Sequence, residues 1–171
     1  MNVHGRKTVL DAAFAEASRL VLREGWLLDQ RRWDDWLDLY SADSEYWMPC
    51  YLENGSVASD PCRQISLIYY SSRAGLEDRV FRIKTGQSLA STPLPRTSHV
   101  TNVADVSVTD GGDIAVESSW ATFSYRLEEQ YHFFGTQKHV LRRTENGLKI
   151  IKRHIIVMND KLPCPLDIYS V

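Results

Sequence analysis

The second half of the chain alternates strand-like runs with short turn signals, and this pattern most limits the possible folds. Asp110-Gly111-Gly112-Asp113 and Glu145-Asn146-Gly147 have the composition of tight hairpin turns. With a looser connection at 127–130, they separate four predicted strands: Thr97–Thr109, Ile114–Arg126, Tyr131–Arg143 and Leu148–Val157. Strands joined by short turns pair antiparallel. The second half therefore predicts an antiparallel meander of three or four long strands that curls.

The first forty residues have helical periodicity instead. Apolar side chains recur at helical spacing, at Val9, Leu10, Ala13, Ala17, Leu20 and Val21. Gly25 is expected to end or kink this helix. The apolar side of a second amphipathic segment holds Trp33, Trp36, Leu37 and Tyr40. Helices that precede an antiparallel sheet indicate the α+β class, here the nuclear-transport-factor-2-like (cystatin-like) cone, in which helices fill the concave face. We expect a single domain over residues 1–171.

The middle of the chain combines short strands with one charged helix. Ser44–Tyr51 is a predicted aromatic-rich strand, and Ile65–Tyr70 is too short to separate a strand from the start of a helix. Ser71 or Ser72 can cap a helix that runs to about Thr85 and stops at Gly86. Its predicted buried stripe is Leu76, Val80 and Ile83, and its predicted i, i+4 ion pairs are Arg73 with Glu77 and Asp78 with Arg82.

Composition excludes several classes of protein. The formal net charge of −2 gives no electrostatic reason to expect a nucleic-acid partner. Three widely spaced cysteines, Cys50, Cys62 and Cys164, fit reduced thiols better than a disulfide framework. The first residues lack the apolar core of a secretory signal, and no run approaches the ~20 apolar residues of a membrane span. We therefore expect a cytoplasmic protein.

No motif for catalysis or metal binding is present in the sequence. It contains no Cys-x-His or Cys-x-x-His, which a Rieske 2Fe–2S cluster requires. His99, His139 and His154 are interpreted as partly buried strand residues with hydrogen-bond partners, although strand residues could also assemble a two-His-one-carboxylate iron site. His154 lies either inside the cone as an acid–base group or outside it.

Two functions of a stand-alone protein remain open. A stand-alone cone dehydratase or isomerase needs a base and an oxyanion-binding group that converge in one pocket. Its candidates are Asp38, Asp43, Tyr46, Tyr125 and His154. A homomeric ligand-binding cone without chemistry is the other alternative.

Arginine and aromatic residues are abundant, and both types are enriched at the centres of interfaces. Together with the missing catalytic motifs, they indicate an obligate subunit. The predicted interface residues lie on the charged helix, the proline-punctuated return that follows it and the tail: Arg73, Arg79, Arg82, Arg96, His99, Asp167 and Tyr169. Whether these arginines pair within the chain or across a boundary stays open. If they pair across it, Arg79→Ala or Arg96→Ala weakens assembly more than folding.

Several segments resemble the small (β) subunit of aromatic-ring-hydroxylating dioxygenases. The segments are Leu27–Pro49, Ile65–Gly86, Pro95–Val103, Trp120–Arg126, Phe133–Gly135 and Val157–Val171. The resemblance runs over nearly the whole chain and is closest to the branch that acts on benzoate, toluate or halobenzoate. One departure is the stiff Pro163-Cys164-Pro165 before the end of the tail.

The resemblance implies a cone fold and a structural role. It implies a large α subunit as partner, commonly in an assembly of three α and three β subunits, and a separate reductase that passes electrons from NADH. The Rieske cluster and the mononuclear iron are expected in the α subunit. No cofactor and no catalytic residue is expected in this chain.

Overall fold

The computed structural model describes the backbone at residues 3–87 and 91–171 and side chains from residue 12 onward, with the same gap. Val9 and Leu10 of the predicted helical stripe lie outside the described side chains. The helices are α1 (Val3–Asp29), α2 (Trp33–Leu37) and α3 (Arg73–Lys84). The strands are β1 (Tyr40–Pro49), β2 (Ser66–Tyr70), β3 (Arg96–Val108), β4 (Ile114–Arg126), β5 (Glu129–Thr144) and β6 (Gly147–Val157). A short 3₁₀ helix, Ile168–Ser170, follows in the tail.

The strands form one six-stranded sheet in the order β2-β1-β6-β5-β4-β3. The four strands of the second half pair antiparallel, as predicted. The predicted size of three or four strands is wrong, because β1 joins the meander by parallel pairing with β6 and carries β2 at the edge. The register aligns Tyr46 with Arg153, and Arg153 with His139, across three adjacent strands. These three side chains therefore share one face of the sheet.

The helices cover this inner face of the sheet. Leu76, Val80 and Ile83 are buried, which confirms the predicted stripe of α3. Gly25 does not end α1, since the helix continues to Asp29. A Cβ at Gly25 would lie 2.8 Å from the Cβ of His99, so the glycine lets α1 approach β3 closely. Arg31, with a φ of 54°, lies just past the end of the helix.

Local signals predicted element types better than element boundaries. Tyr40, assigned from the sequence to a helical stripe, is the first residue of β1 and lies in the core with Trp36. Ile65–Tyr70 proves to be a strand from Ser66 onward. Ser72 is the N-cap residue of α3, but its side chain makes no capping hydrogen bond. One hydrophobic core joins helices and sheet, and the single domain stays a prediction.

Candidate functional site

A buried ionic cluster lies where α1 meets the inner face of the sheet. Glu24 of α1 accepts hydrogen bonds from the hydroxyl of Tyr40 and from Nε2 of His139, at 2.9 Å in the second case. Arg153 Nη1 lies 3.0 Å from Glu24 Oε1. Gln137 Oε1 accepts from Arg153 Nη2 at 2.8 Å and from its Nε at 3.2 Å. We call these five residues the interior network; none is more than 4% exposed.

The network keeps Glu24 ionised. Burial alone would raise the pKa of Glu24, but the charge of Arg153 and the hydrogen bonds from His139 and Tyr40 bring that pKa down to about 2. Burial lowers the pKa of His139 and outweighs the opposing effect of Glu24. At neutral pH the imidazole is therefore neutral and donates its Nε2 proton to the carboxylate. Glu24 acts as an anchor between helix and sheet rather than as a free base.

Aromatic side chains occupy the rest of the interior. Trp36, Tyr40, Tyr46 and Phe133 are among the largest fully buried side chains of the chain. Burial raises the pKa of Tyr46, which keeps its hydroxyl protonated. Within the described residues, that hydroxyl and Nδ1 of His139 have no hydrogen-bond partner. The inner face is thus filled by side chains, with isolated polar atoms between them.

The candidate catalytic residues do not converge. Tyr46 lies on the inner face, whereas His154 lies on the outer face, where its ring packs 4.8 Å from that of Trp47. Burial lowers the pKa of His154. Tyr125 is 40% exposed, and the side chains of Asp38 and Asp43 are largely exposed, with Asp43 paired to Arg142 at 2.9 Å. The sequence left open whether His154 lies inside or outside the cone, and the structure places it outside.

No metal-binding group assembles among the described side chains. In residues 12–87 and 91–171, no cluster of three or more His, Cys, Asp or Glu side chains is placed to hold a metal ion. The contacts of His139 with Glu24 and of His99 with Asp29 each bring together one histidine and one carboxylate. In the described part of the chain, no helix has the length and apolar character needed to cross a bilayer.

Three of the predicted interface residues meet in one cluster within the chain. Arg79 forms a bidentate ion pair with Asp167, with Nε 2.7 Å from Oδ1. The hydroxyls of Ser91 and Tyr169 lie 2.9 Å apart beside this pair. Asp167 also accepts a hydrogen bond from the backbone of Ile168 and caps the 3₁₀ helix. We call Arg79, Ser91, Asp167 and Tyr169 the tail clamp, because together they hold the tail against α3.

The start of β3, which follows the proline-containing segment after α3, makes two different contacts. His99 Nδ1 lies 2.6 Å from Asp29 Oδ1, and the backbone amide of His99 donates to the other oxygen of this carboxylate. Thr97 donates to the same carboxylate, so these hydrogen bonds hold β3 against the C-terminal end of α1. Arg96 is exposed and lies over the ring of Tyr125, 4.7 Å from its centroid. His99 is thus tied into the fold, whereas Arg96 stays at the surface.

The two remaining arginines lie on α3. Arg73 pairs with Glu77 at 2.8 Å, as predicted, and donates to the backbone carbonyl of Tyr40. Arg82 is exposed, and no ion pair with Asp78 forms between these two described side chains. A role of the seven predicted residues at a subunit boundary stays a prediction.

Sequence reasoning missed the interior network as a unit. His139 is a hydrogen-bonded strand residue, as predicted, but it is fully rather than partly buried, and the sequence pattern assigned no role to Glu24, Gln137 or Arg153. One signal was available. Arg153 alternates with Ile155 and Val157 on a buried face, and Glu24 lies between Val21 and Leu28 at helical spacing. Charged residues in apolar stripes indicate buried partners.

Comparison with known proteins assigns the chain to a class and then to a family. A nuclear-transport-factor-2-like protein with a cystatin-like fold from Novosphingobium aromaticivorans is similar, with a TM-score of 0.57 over 95% of this chain and 92% of its own. At 16% identity this likeness shows the fold alone, and it confirms the predicted α+β cone.

The family with the description "Ring hydroxylating beta subunit" matches residues 23–164. The 2-halobenzoate 1,2-dioxygenase small subunit of Burkholderia cepacia is 39% identical over 166 residues, which cover 96% of this chain and 99% of that relative. The solved β subunit of the benzoate 1,2-dioxygenase from Burkholderia mallei is 40% identical, with a TM-score of 0.73 over 92% of this chain and 96% of its own. The chain belongs to the ring-hydroxylating β-subunit family, as its sequence segments predicted.

Proposed function

We propose that this chain is the non-catalytic structural subunit of the terminal oxygenase of a multicomponent dioxygenase. The oxygenase acts on an aromatic carboxylate such as benzoate or a substituted benzoate and converts it into a cis-dihydrodiol. Membership of the family supports the subunit role, and the relatives named for 2-halobenzoate and benzoate dioxygenases support the substrate class. The proposed location is the cytoplasm.

The filled interior of the cone is the observation that carries the structural role. An enzyme of this shape needs space beside a base, but Glu24 is ion-paired and surrounded by buried aromatic residues. The interior network therefore contributes to the rigidity of the scaffold. In this proposal the large α subunit holds the Rieske cluster and the mononuclear iron, and a reductase supplies electrons from NADH.

Expression with and without a large subunit tests the proposal. Co-expression with an α chain that carries Cys-x-His and Cys-x-x-His motifs should give one heteromeric assembly, measured by light scattering after gel filtration. That assembly should contain iron and acid-labile sulfide, whereas the small chain purified alone should contain neither. Iron in a 1:1 ratio with the isolated small chain, or turnover by it, would contradict the proposal.

The substrate class needs its own measurement. The assembly and its reductase should consume NADH and oxygen with benzoate and release the corresponding cis-dihydrodiol carboxylate. An assembly that oxidises only arenes without a carboxylate would retain the subunit role but refute the proposed substrate.

A further inference from the structure

A cleft of about 550 Å³ lies between α1, α2 with the two residues that follow it, and the β5–β6 turn. Its α1 wall is formed by Glu16, Arg19, Leu20 and Arg23. Steps of three and four residues place these side chains on the same side of the helix. We call this space the helix cleft. No side chain of the interior network lines it, and its volume lies in the range of small-molecule sites.

The wall opposite α1 joins the end of α2 to β6. The backbone amide of Ile150 donates to the carbonyl of Leu39 at 2.8 Å, and Lys149 Nζ donates to the carbonyl of Asp38. Both hydrogen bonds end on carbonyls of the segment after α2, so they hold this segment against β6. The helix cleft is therefore formed by the folded chain itself, as is usual for small-molecule sites.

Leucine side chains form the base of the helix cleft, and charged side chains form its rim. Leu148 is buried, and Leu20 and Leu39 are half-buried. Arg19 and Arg23 are exposed. A ligand with an apolar body and one charged end can therefore place its body on the leucines while its charge reaches the arginines.

The three carboxylates that line the helix cleft are already paired with arginines that lie outside it. The pairs are Glu16 with Arg143 at 2.7 Å, Asp35 with Arg32 at 2.7 Å and Asp38 with Arg73 at 3.5 Å. Each of these negative charges is thus balanced by a side chain that does not line the cleft.

The three cations that line the helix cleft have no such partner. Arg19 Nε donates to the backbone carbonyl of Ala15 at 3.1 Å, and Lys149 donates to that of Asp38. Arg23 forms no hydrogen bond or ion pair with the side chains from residue 12 onward that the structure describes. The attraction of Arg19 and Arg23 to the carboxylates of the lining acts at longer range than an ion pair. The cleft therefore keeps positive charge that an anion can neutralise.

The arrangement of these groups selects a class of anion. A guanidinium presents a planar fork that matches a carboxylate, and Arg19 and Arg23 lie one helical turn apart. The leucines favour a ligand with an apolar body over a bare inorganic ion. The carboxylates of the lining repel further negative charge, so they disfavour ligands with several charges. A monocarboxylate with a flat apolar body meets all three conditions.

We propose that the helix cleft binds a small aromatic monocarboxylate. Its carboxylate lies between Arg19, Arg23 and Lys149, and its ring covers the leucines of the base. The inference goes beyond the proposed function and does not depend on it, because side chains of this chain alone form the site.

Calorimetric titration of the full chain, purified alone, tests this inference at low ionic strength, where charges are least screened. Benzoate is the probe and should bind saturably, with a dissociation constant of about 1 mM or lower. Benzamide keeps the ring without the charge, and acetate keeps the charge without the ring. Each should bind at least about tenfold more weakly than benzoate. No saturable binding of benzoate, or equal binding of either analogue, would overturn the inference.

Variants locate the bound benzoate. Arg19→Gln and Arg23→Gln each remove one guanidinium from the rim and should weaken benzoate binding about tenfold. Arg82→Gln is the matched control, since Arg82 is exposed on α3 outside the helix cleft, and it should keep the wild-type affinity. Far-ultraviolet circular dichroism checks that all three variants fold.

Unchanged affinity in both α1 variants, or an equal loss in Arg82→Gln, would place the benzoate elsewhere and overturn the inference. The result is separate from the proposed function, which is tested by assembly with a large subunit. A chain that binds benzoate but no large subunit would support the helix cleft while the proposed function fails. Assembly without benzoate binding by the small chain would do the reverse.

Discussion

At the scale of single residues, Arg153 is the side chain on which the interior network most depends. It is 3% exposed, and its only carboxylate partner within the described residues is Glu24, which is also buried. Arg153→Met keeps much of the volume but leaves a buried, uncompensated carboxylate. We expect this change to lower the free energy of unfolding by about 3–5 kcal/mol, measured by urea denaturation.

Arg142→Met is the control for this change. Arg142 pairs with Asp43 at a similar distance, 2.9 Å, but both side chains are largely exposed. It should leave the unfolding midpoint unchanged, because water screens an exposed pair. Equal effects of the two changes would show that burial does not decide the strength of these ion pairs.

The network also predicts how stability depends on pH. The pKa values of His139 and Glu24 are both lowered in the fold, so the unfolded chain binds more protons on acidification. The free energy of unfolding should fall as the pH drops below 6.5 through His139, and again below 4.5 towards about 2 through Glu24. Each group contributes at most about 1.4 kcal/mol per pH unit.

Urea denaturation between pH 8 and pH 4 measures how the free energy of unfolding depends on pH. His139→Gln should reduce the change in the free energy of unfolding between pH 7 and pH 5. His132→Gln, a substitution at an exposed position, should leave that change as in the wild type. A stability that is constant from pH 7 to pH 5 in the wild type would argue against a neutral, buried His139.

At the scale of elements, the pairing of β5 with β6 depends on a glycine. A Cβ on Gly135 would lie 1.8 Å from the carbonyl oxygen of Ile156, a backbone atom that cannot move aside easily. Gly135→Ala should therefore destabilise the sheet by about 1–3 kcal/mol or more, seen as a lower melting temperature. Gly111→Ala is the control, since its Cβ would meet nothing closer than 3.9 Å. Similar melting temperatures for both variants would contradict this close approach.

The tail clamp changes what we expect from Arg79. Because Arg79 pairs with Asp167 inside the chain, Arg79→Ala should lower the free energy of unfolding by about 1.5–3 kcal/mol. Arg82→Ala, at an exposed position of the same helix, should have little effect on folding. Limited proteolysis should release the tail faster in the Arg79 variant only. An unchanged cleavage rate would mean that the tail is held by its apolar contacts alone.

Elements were predictable from the sequence where local patterns decide them. The Asp110–Asp113 turn and the β4 bounds, Ile114–Arg126, agree with the structure because turn chemistry and strand alternation act locally. The parallel contact of β1 with β6 was not predictable, because the two strands are far apart in the sequence and no short turn connects them. The interior network depends on this contact, because its member Tyr40 lies on β1 and is aligned with Ile150 of β6. Its residue types were visible in the sequence, but their meeting depends on the tertiary fold.

At the scale of the whole molecule, the proposed subunit role makes thermal stability depend on the partner. A large subunit that binds only the folded chain stabilises it by mass action, so the melting temperature of this chain should be higher in the co-expressed assembly than alone. Differential scanning fluorimetry of the two samples measures this rise. An unchanged melting temperature in the assembly would contradict binding of the partner to the folded state.

The interior network sets a condition for redesigning this scaffold as a receptor. Removing Glu24 or Arg153 alone leaves the other charge buried without a counter-charge, and removing His139 takes a hydrogen bond from the Glu24 carboxylate, so a stepwise search for a binding cavity passes through unstable intermediates. Replacing all three together by apolar residues of similar volume avoids that barrier, and such exchanges are often neutral or stabilising. Conversion of a filled cone into a ligand-binding cone therefore requires these substitutions to occur together. A library of single substitutions would miss it.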